Sequence, residues 1–137
     1  GWVRCFGAFL LSRQAGFDIR FAGAEQPLPE SDFYILPSVG GSSEISRKAW
    51  LALLDKVSAG ANLLITSDGR GCLSTFREVT GVEIDARFQE NCSFEFALKS
   101  HPEQMIRAGS AYRCMMTAQT AEVLAADSTD NPVMTVG

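Results

Sequence analysis

The residues Phe33-Tyr34-Ile35-Leu36 form one apolar run and Leu63-Leu64-Ile65-Thr66 form a second, and this pair decides the fold prediction. A run without polar alternation is typical of a strand that is covered on both faces, as in a parallel sheet. Between the runs, apolar residues recur at spacings of three and four over residues 45–57, which predicts a helix ended by Gly60. The order predicts a βαβ unit of about 35 residues with parallel strands.

Further elements are predicted around this unit. Apolar residues at helical spacing predict a helix over residues 2–15, with Gly16 as its left-handed C-cap. Residues 17–21 alternate apolar and polar, which predicts a short strand. Ser43 is placed to cap the helix of the βαβ unit. We therefore expect residues 1–81 to form an α/β part, an open and mostly parallel sheet flanked by helices.

The second half of the chain, residues 82–137, has a different pattern. Short segments with strand character follow one another there, and His101 with residues 104–107 is interpreted as a solvated turn. The predicted strands cover residues 82–88, 93–98, 112–116, 121–125 and 133–136. We expect a β-rich extension of the first sheet, so that residues 1–137 form a single domain.

Composition excludes several classes of function. The chain has 137 residues and a formal net charge of −4, with no basic stripe, so a nucleic-acid partner is not expected. No apolar run reaches the roughly 18 residues of a membrane-spanning helix, and no membrane partner is expected. The chain begins within an amphipathic pattern and ends within a predicted strand, from which we expect it to be a piece of a longer polypeptide.

The cysteines do not have the spacing of a metal site. No two of the four, Cys5, Cys72, Cys92 and Cys114, stand at the C-x₂-C spacing of a zinc site, and the sequence contains one histidine. We predict no metal and no cofactor, with the cysteines as reduced, mostly buried thiols; two disulfides are the alternative. Reduced thiols favour a cytoplasmic location.

Several segments together resemble a known module. These are Asp32-Phe33-Tyr34-Ile35-Leu36-Pro37-Ser38, the helix end and strand over residues 56–66, and the closing segments 121–127 and 131–134. They are similar to the non-catalytic domain that follows the barrel in family-42 β-galactosidases, often called the trimerisation domain. The resemblance implies the flavodoxin-like fold of class I glutamine amidotransferases.

The resemblance also implies a function. It implies an accessory domain without catalytic residues in a multidomain glycoside hydrolase, packing against the catalytic domain of its parent chain and forming a homo-oligomer. Trp2, Phe6, Phe9 and Trp50 are the bulky groups to examine for such an interface, because aromatic residues are enriched in interface cores. The alternative for each is the domain's own core, and for Phe6 and Trp50 we favour the core.

A small stand-alone hydrolase or amidotransferase-like enzyme is the first alternative. Amidotransferases carry a Gly-x-Cys-x-Gly elbow, and the matching positions here read Ile65-Thr66-Ser67-Asp68-Gly69, in which only the final glycine agrees. A serine nucleophile needs a base, and His101-Pro102-Glu103 matches the His-Pro-Glu of the amidotransferase triad. The competing interpretation is that Ser67 and Asp68 cap a turn and that His101 is a surface residue.

A sugar-binding flavodoxin-like module is the second alternative. Gly40 and Gly41 follow a presumed parallel strand at its carboxyl end, where α/β folds place ligands, and Asp68 and Gly69 follow the next one. The glycine pair lacks the lysine and third glycine of phosphate-binding loops. Loop flexibility is the competing interpretation.

Overall fold

The computed structural model describes residues 2–23, 25–39, 45–67 and 73–137. The elements in chain order are α1 (Trp2–Gln14), β1 (Phe33–Val39), α2 (Arg47–Ser58), β2 (Asn62–Ser67), α3 (Phe76–Thr80), β3 (Val82–Phe88), β4 (Cys92–Leu98), β5 (His101–Ser110), β6 (Arg113–Ala118), β7 (Glu122–Ala126) and β8 (Pro132–Val136). The chain divides into two compact units, Gly1–Leu73 and Ser74–Gly137. The prediction that residues 1–137 form a single domain stays a prediction.

The βαβ unit is present in the first unit. Strands β1 and β2 pair in parallel, with Phe33 opposite Asn62 and Leu36 opposite Ile65. The helix between them is capped by Ser46, whose Oγ accepts a hydrogen bond from the Ala49 N–H at 3.1 Å. Ser43, the predicted cap, lies outside the described residues. Gly60 follows the helix with φ of 109°, as its predicted role as the helix-ending residue requires.

The apolar stripe of α2 forms the core of the first unit. Ile45, Ala49, Trp50 and Leu53 are buried, and the side chain of Trp50 is only 1% exposed. The residues packed against this cluster are Leu28, Tyr34, Leu36, Leu54, Leu63, Ile65 and Leu73. The core position favoured for Trp50 is confirmed, whereas Phe6, for which a core position was also favoured, is 46% exposed.

Residues 17–21 do not form the predicted strand. The preceding helix ends as expected, with Gly16 at φ of 88°, but the residues after it are irregular. Alternation indicates which side chains can share one face, whereas a strand also needs a neighbour for its backbone hydrogen bonds. The rings here pack individually instead, Phe17 on Phe33 at 6.1 Å and Phe21 on Phe9 at 5.4 Å between centroids.

The second unit consists of antiparallel strand pairs. β3 pairs with β6, β4 with β5, and β7 with β8. The Lys99 N–H donates to the Leu124 carbonyl at 2.9 Å, which links the end of β4 to β7. The interpretation of residues 101–107 as a turn is wrong, because the whole segment His101–Ser110 is a strand paired with β4.

The predicted fold class is therefore wrong: the chain is mostly β rather than a flavodoxin-like, mostly parallel α/β sheet. Among the described residues, parallel pairing is confined to β1 and β2. The βαβ unit was correctly located, but one such unit does not show how many strands join its sheet. In the second unit, short connections join β4 to β5 and β7 to β8, and connections this short join antiparallel strands rather than parallel ones.

Candidate functional site

Ser67, the predicted nucleophile, is the last residue of β2. It is exposed and lies opposite Val39 of β1. The other candidate residues at this edge, Gly40, Gly41, Asp68 and Gly69, lie outside the described residues, and so does Cys72. Their roles as a ligand loop or as a nucleophile turn stay predictions.

His101, the predicted base, is the first residue of β5 and is exposed. Its Nδ1 lies 2.9 Å from the Ser100 Oγ. Ser67 belongs to the first unit and His101 to the second. The hydrolase role that pairs Ser67 with this histidine stays a prediction.

Six of the surface carboxylates contact a cation or a hydroxyl group. The described pairs are Asp18 with Arg13 at 3.3 Å, Glu30 with Lys56, Glu83 with Arg77 at 3.5 Å, Glu95 with Arg107 at 2.5 Å, Glu90 with Arg113 at 3.9 Å, and Asp85 with Thr117 at 2.7 Å. The hydrogen bond with Glu30 raises the pKa of Lys56 above its ordinary value. Glycoside hydrolysis needs two carboxyl groups that flank one bond, one of them with a raised pKa, whereas each of these six carboxylates contacts a cation or a hydroxyl group.

The carboxylate of Asp127 accepts three hydrogen bonds from residues of its own turn. Its Oδ1 accepts hydrogen bonds from the Thr129 N–H at 2.8 Å, the Thr129 hydroxyl at 2.6 Å and the Asn131 N–H at 3.1 Å. Partial burial raises the pKa of Asp127, but these hydrogen bonds outweigh burial and the pKa falls below its ordinary value. The group organises the turn between β7 and β8, which is a structural role.

In the described part of the chain, no three His, Cys, Asp or Glu side chains come together as metal ligands. Cys5, Cys92 and Cys114 are half-buried thiols. Over the same residues, no helix combines the length and the apolar character that a bilayer crossing requires.

The most distinctive surface of the first unit is aromatic. Five phenylalanines from α1, from the irregular segment after it and from β1 make ring contacts in two groups, and we call the five together the phenylalanine surface. Phe6, Phe9 and Phe21 form one group, and Phe17 and Phe33 form the other. Phe6 stacks on Phe9 at 6.4 Å, and Phe9 contacts Phe21, so three rings form a continuous row. The exposed fractions reach 56% for Phe17 and 66% for Phe21.

Sequence reasoning found only part of this surface. It named Phe6 and Phe9 as interface candidates, and it named Trp2 and Trp50 as well. Trp50 lies in the core, and the side chain of Trp2 is outside the described structure. It did not name Phe17, Phe21 or Phe33. Their clustering in the sequence could have revealed them, because five of the nine phenylalanines lie within the first 33 residues.

Comparison with protein-family models, with curated proteins and with solved structures finds no significant match to this chain.

Proposed function

We propose that this chain is a non-catalytic accessory and oligomerisation domain of a multidomain glycoside hydrolase, similar to the trimerisation domain of family-42 β-galactosidases. It packs against the catalytic barrel of the parent chain and against neighbouring subunits. The observation that carries the proposal is the phenylalanine surface.

The energetics of that surface favour a macromolecular partner. Exposed contiguous apolar patches mark interaction sites, and aromatic residues are enriched in interface cores. Covering one phenylalanine side chain contributes about 1.5–3 kcal/mol relative to leaving it in water. Phe17 and Phe21, each more than half exposed, therefore supply a large driving force for association.

The surroundings of Phe17 have the polar character of an interface rim. Arg13 reaches the Asp18 carboxylate at 3.3 Å, and both side chains are exposed. An apolar centre beside paired charges is the usual composition of a protein–protein interface. Ion pairs of this kind contribute little affinity and instead discriminate among orientations.

Sedimentation velocity at micromolar concentrations tests the proposal. We expect the chain to self-associate and the double variant Phe17→Ser, Phe21→Ser to weaken association at least about tenfold, the equivalent of about 1.4 kcal/mol. Phe88→Ser is the matched control, because Phe88 is 51% exposed but lies in the second unit. A strictly monomeric protein, or an unchanged double variant, contradicts the proposal.

The parent chain provides a second test. An antibody against this domain should detect a native polypeptide with room for a barrel of about 250 residues besides the 14.8 kDa of the domain. A native band near 15–20 kDa, or an ester or amide hydrolysis by this chain that Ser67→Ala abolishes, argues for the stand-alone enzyme instead.

A further inference from the structure

One face of the β3–β6 pair carries an open groove. The groove has a volume of about 410 Å³ and is lined by Ala86 and Phe88 of β3, by Arg113 and Met115 of β6, and by Glu90. Ala86 lies opposite Met115 and Phe88 lies opposite Arg113. The four strand residues therefore share one face of the pair, in a stretch of regular register that begins after the register shift before Ala86.

The floor of the groove is apolar and includes an exposed aromatic ring. Phe88 is 51% exposed, and Ala86 and Met115 are half-buried. The face of an aromatic ring is the negative part of its quadrupole, so it attracts C–H groups that carry a small positive charge. A ligand with a flat face of C–H groups therefore matches this floor.

Arg113 of the groove is held by the turn between β7 and β8. Its Nη2 donates to the Thr129 Oγ1 at 3.3 Å, and the Thr129 hydroxyl donates to the Asp127 Oδ1 at 2.6 Å. Asp127 is itself fixed by the N–H groups of Thr129 and Asn131. The guanidinium is thus oriented before a ligand arrives, which lowers the entropic cost of binding.

Much of the hydrogen-bonding capacity of this guanidinium is unused. A guanidinium carries several N–H donors, and among the described residues Arg113 makes its side-chain hydrogen bond to Thr129. Its Nη1 lies 3.9 Å from the Glu90 Oε1, a distance too long for a hydrogen bond. A hydroxyl group between these two atoms could accept from Nη1 and donate to Oε1, because a hydroxyl does both.

The charges around the groove favour a neutral ligand over an anion. The Glu90 carboxylate lies near the guanidinium, and the Asp127 carboxylate is joined to it through the Thr129 hydroxyl. An anion would be attracted by one positive charge and repelled by two negative ones. A neutral ring with C–H groups on its face and hydroxyl groups on its edge matches the floor, the donor and the acceptor together.

We propose that this groove binds a neutral pyranose sugar. The C–H face of the sugar ring covers Phe88, and hydroxyl groups at the edge of the ring bind Arg113 and Glu90. Sites for small molecules have volumes of about 300–1,000 Å³, a range that includes this groove. Because the groove is open and covers one side of the ligand, we expect a millimolar dissociation constant.

An NMR titration of the isotopically labelled chain tests the site. Methyl β-D-glucopyranoside or methyl β-D-galactopyranoside should produce saturable shifts of the amide signals of residues 86–90 and 113–115. Phe88→Ser should weaken binding at least about fivefold, because the apolar floor is lost. Met105→Ser is the matched control, since Met105 is 64% exposed, belongs to the same unit and does not line the groove.

Variants of Thr129 test how Arg113 is positioned. Thr129→Val keeps the size of the side chain but removes the hydroxyl that joins Arg113 to Asp127, and we expect affinity for the pyranoside to fall about threefold or more. Thr129→Ser keeps the hydroxyl and should restore the affinity. Equal affinities of the two variants, measured where both are folded, would overturn the role of Thr129.

Two further ligands test the chemical class. Glucuronate keeps the pyranose ring but adds a carboxylate, so it should bind more weakly than the methyl pyranosides. Glycerol has hydroxyl groups but no ring face, so it should give no saturable shifts at the groove. Tighter binding of glucuronate, or equal binding of glycerol, overturns the assignment to a neutral sugar.

The sugar site is independent of the self-association proposed above. If neither pyranoside gives saturable shifts at the groove, or if Phe88→Ser binds as well as the unmodified chain, the sugar site is overturned and the proposed function is unaffected. The double variant Phe17→Ser, Phe21→Ser should weaken self-association and keep sugar affinity. Phe88→Ser, assayed without sugar, should do the reverse.

Discussion

At the scale of single residues, Asp127 makes the stability of the second unit depend on pH. Its carboxylate has a pKa below its ordinary value because Thr129 and Asn131 donate hydrogen bonds to it. The resulting stabilisation is therefore complete above the unfolded pKa of about 4 and is lost as the pH falls through the lower folded pKa.

Asp127→Asn tests this effect. We expect the variant to be less stable by about 1 kcal/mol at pH 7, because an amide is a weaker acceptor than a carboxylate. The difference should shrink as the pH falls below about 4, because the unfolded chain then binds a proton, and it should level off below the lower folded pKa, where the native carboxyl is also neutral. Urea unfolding at several pH values measures it, with Asp130→Asn in the same turn as the control. A difference that does not change with pH contradicts the assignment.

Gly81 is a residue whose backbone tolerates no side chain. Its φ is 68°, and a Cβ there would lie 2.6 Å from both the Ala121 backbone N and the Thr120 Oγ1. We expect Gly81→Ala to destabilise the chain by at least about 2 kcal/mol, because conformational strain and a clash with backbone add together.

Gly109→Ala is the matched control for Gly81→Ala. Its added Cβ would meet nothing closer than the Cys92 carbonyl oxygen at 3.9 Å. We expect a change within about 0.5 kcal/mol in denaturant unfolding. Equal effects of the two substitutions would show that the close approach at Gly81 is not decisive.

At the scale of elements, Asn131 joins the start of β8 to β6. It is 8% exposed, its Nδ2 donates to the Cys114 carbonyl at 2.9 Å, and its Oδ1 accepts from the Met116 N–H at 2.9 Å. Asn131→Ala leaves both backbone groups without these partners, and we expect a loss of about 2–3 kcal/mol in thermal or urea unfolding.

Two comparison variants make the Asn131 test specific. Asn131→Asp keeps an acceptor for Met116 but loses the donor to Cys114 and introduces a charge, so it should also destabilise. Asn91→Ala, at an exposed position before β4, should change stability by less than about 0.5 kcal/mol. A stable Asn131→Asp would mean that the hydrogen bond to Cys114 contributes little.

At the scale of the whole molecule, few hydrophobic side chains of the described residues are buried and many large ones are exposed. The hydrophobic residues that are buried are Ile45, Ala49, Trp50, Leu53, Val82 and Ala125. Exposed large hydrophobic residues are more numerous and occur in both units, from Phe6 in α1 to Val136 in β8. Any assembly that covers part of this surface binds the native state alone and therefore stabilises it.

The melting temperature should consequently rise with protein concentration. A hundredfold increase across the range of association corresponds to a few kcal/mol and hence to a rise of roughly 5 °C or more. The rise should be smaller for the double variant Phe17→Ser, Phe21→Ser and unaltered for Phe88→Ser. A melting temperature that is the same at all concentrations would contradict self-association.

Local features of the fold could be read from the sequence. The strands at residues 33–36 and 63–66, the helix between them and the left-handed Gly16 and Gly60 were located correctly, as were five strands of the second half, β3, β4, β6, β7 and β8. These features depend on side-chain periodicity and on backbone preferences, which act within a few residues. The same patterns placed Trp50 on the buried stripe of its helix.

Tertiary structure alone decided the strand partners and the exposed surfaces. Residues 17–21 alternate but find no strand to pair with, whereas His101–Ser110 lack a clear pattern and become a strand because β4 supplies partners. Sequence periodicity indicates that a residue can face a core, but residues distant in the chain determine whether a core is there. For that reason Phe6 could be assigned to the interior and lies at the surface.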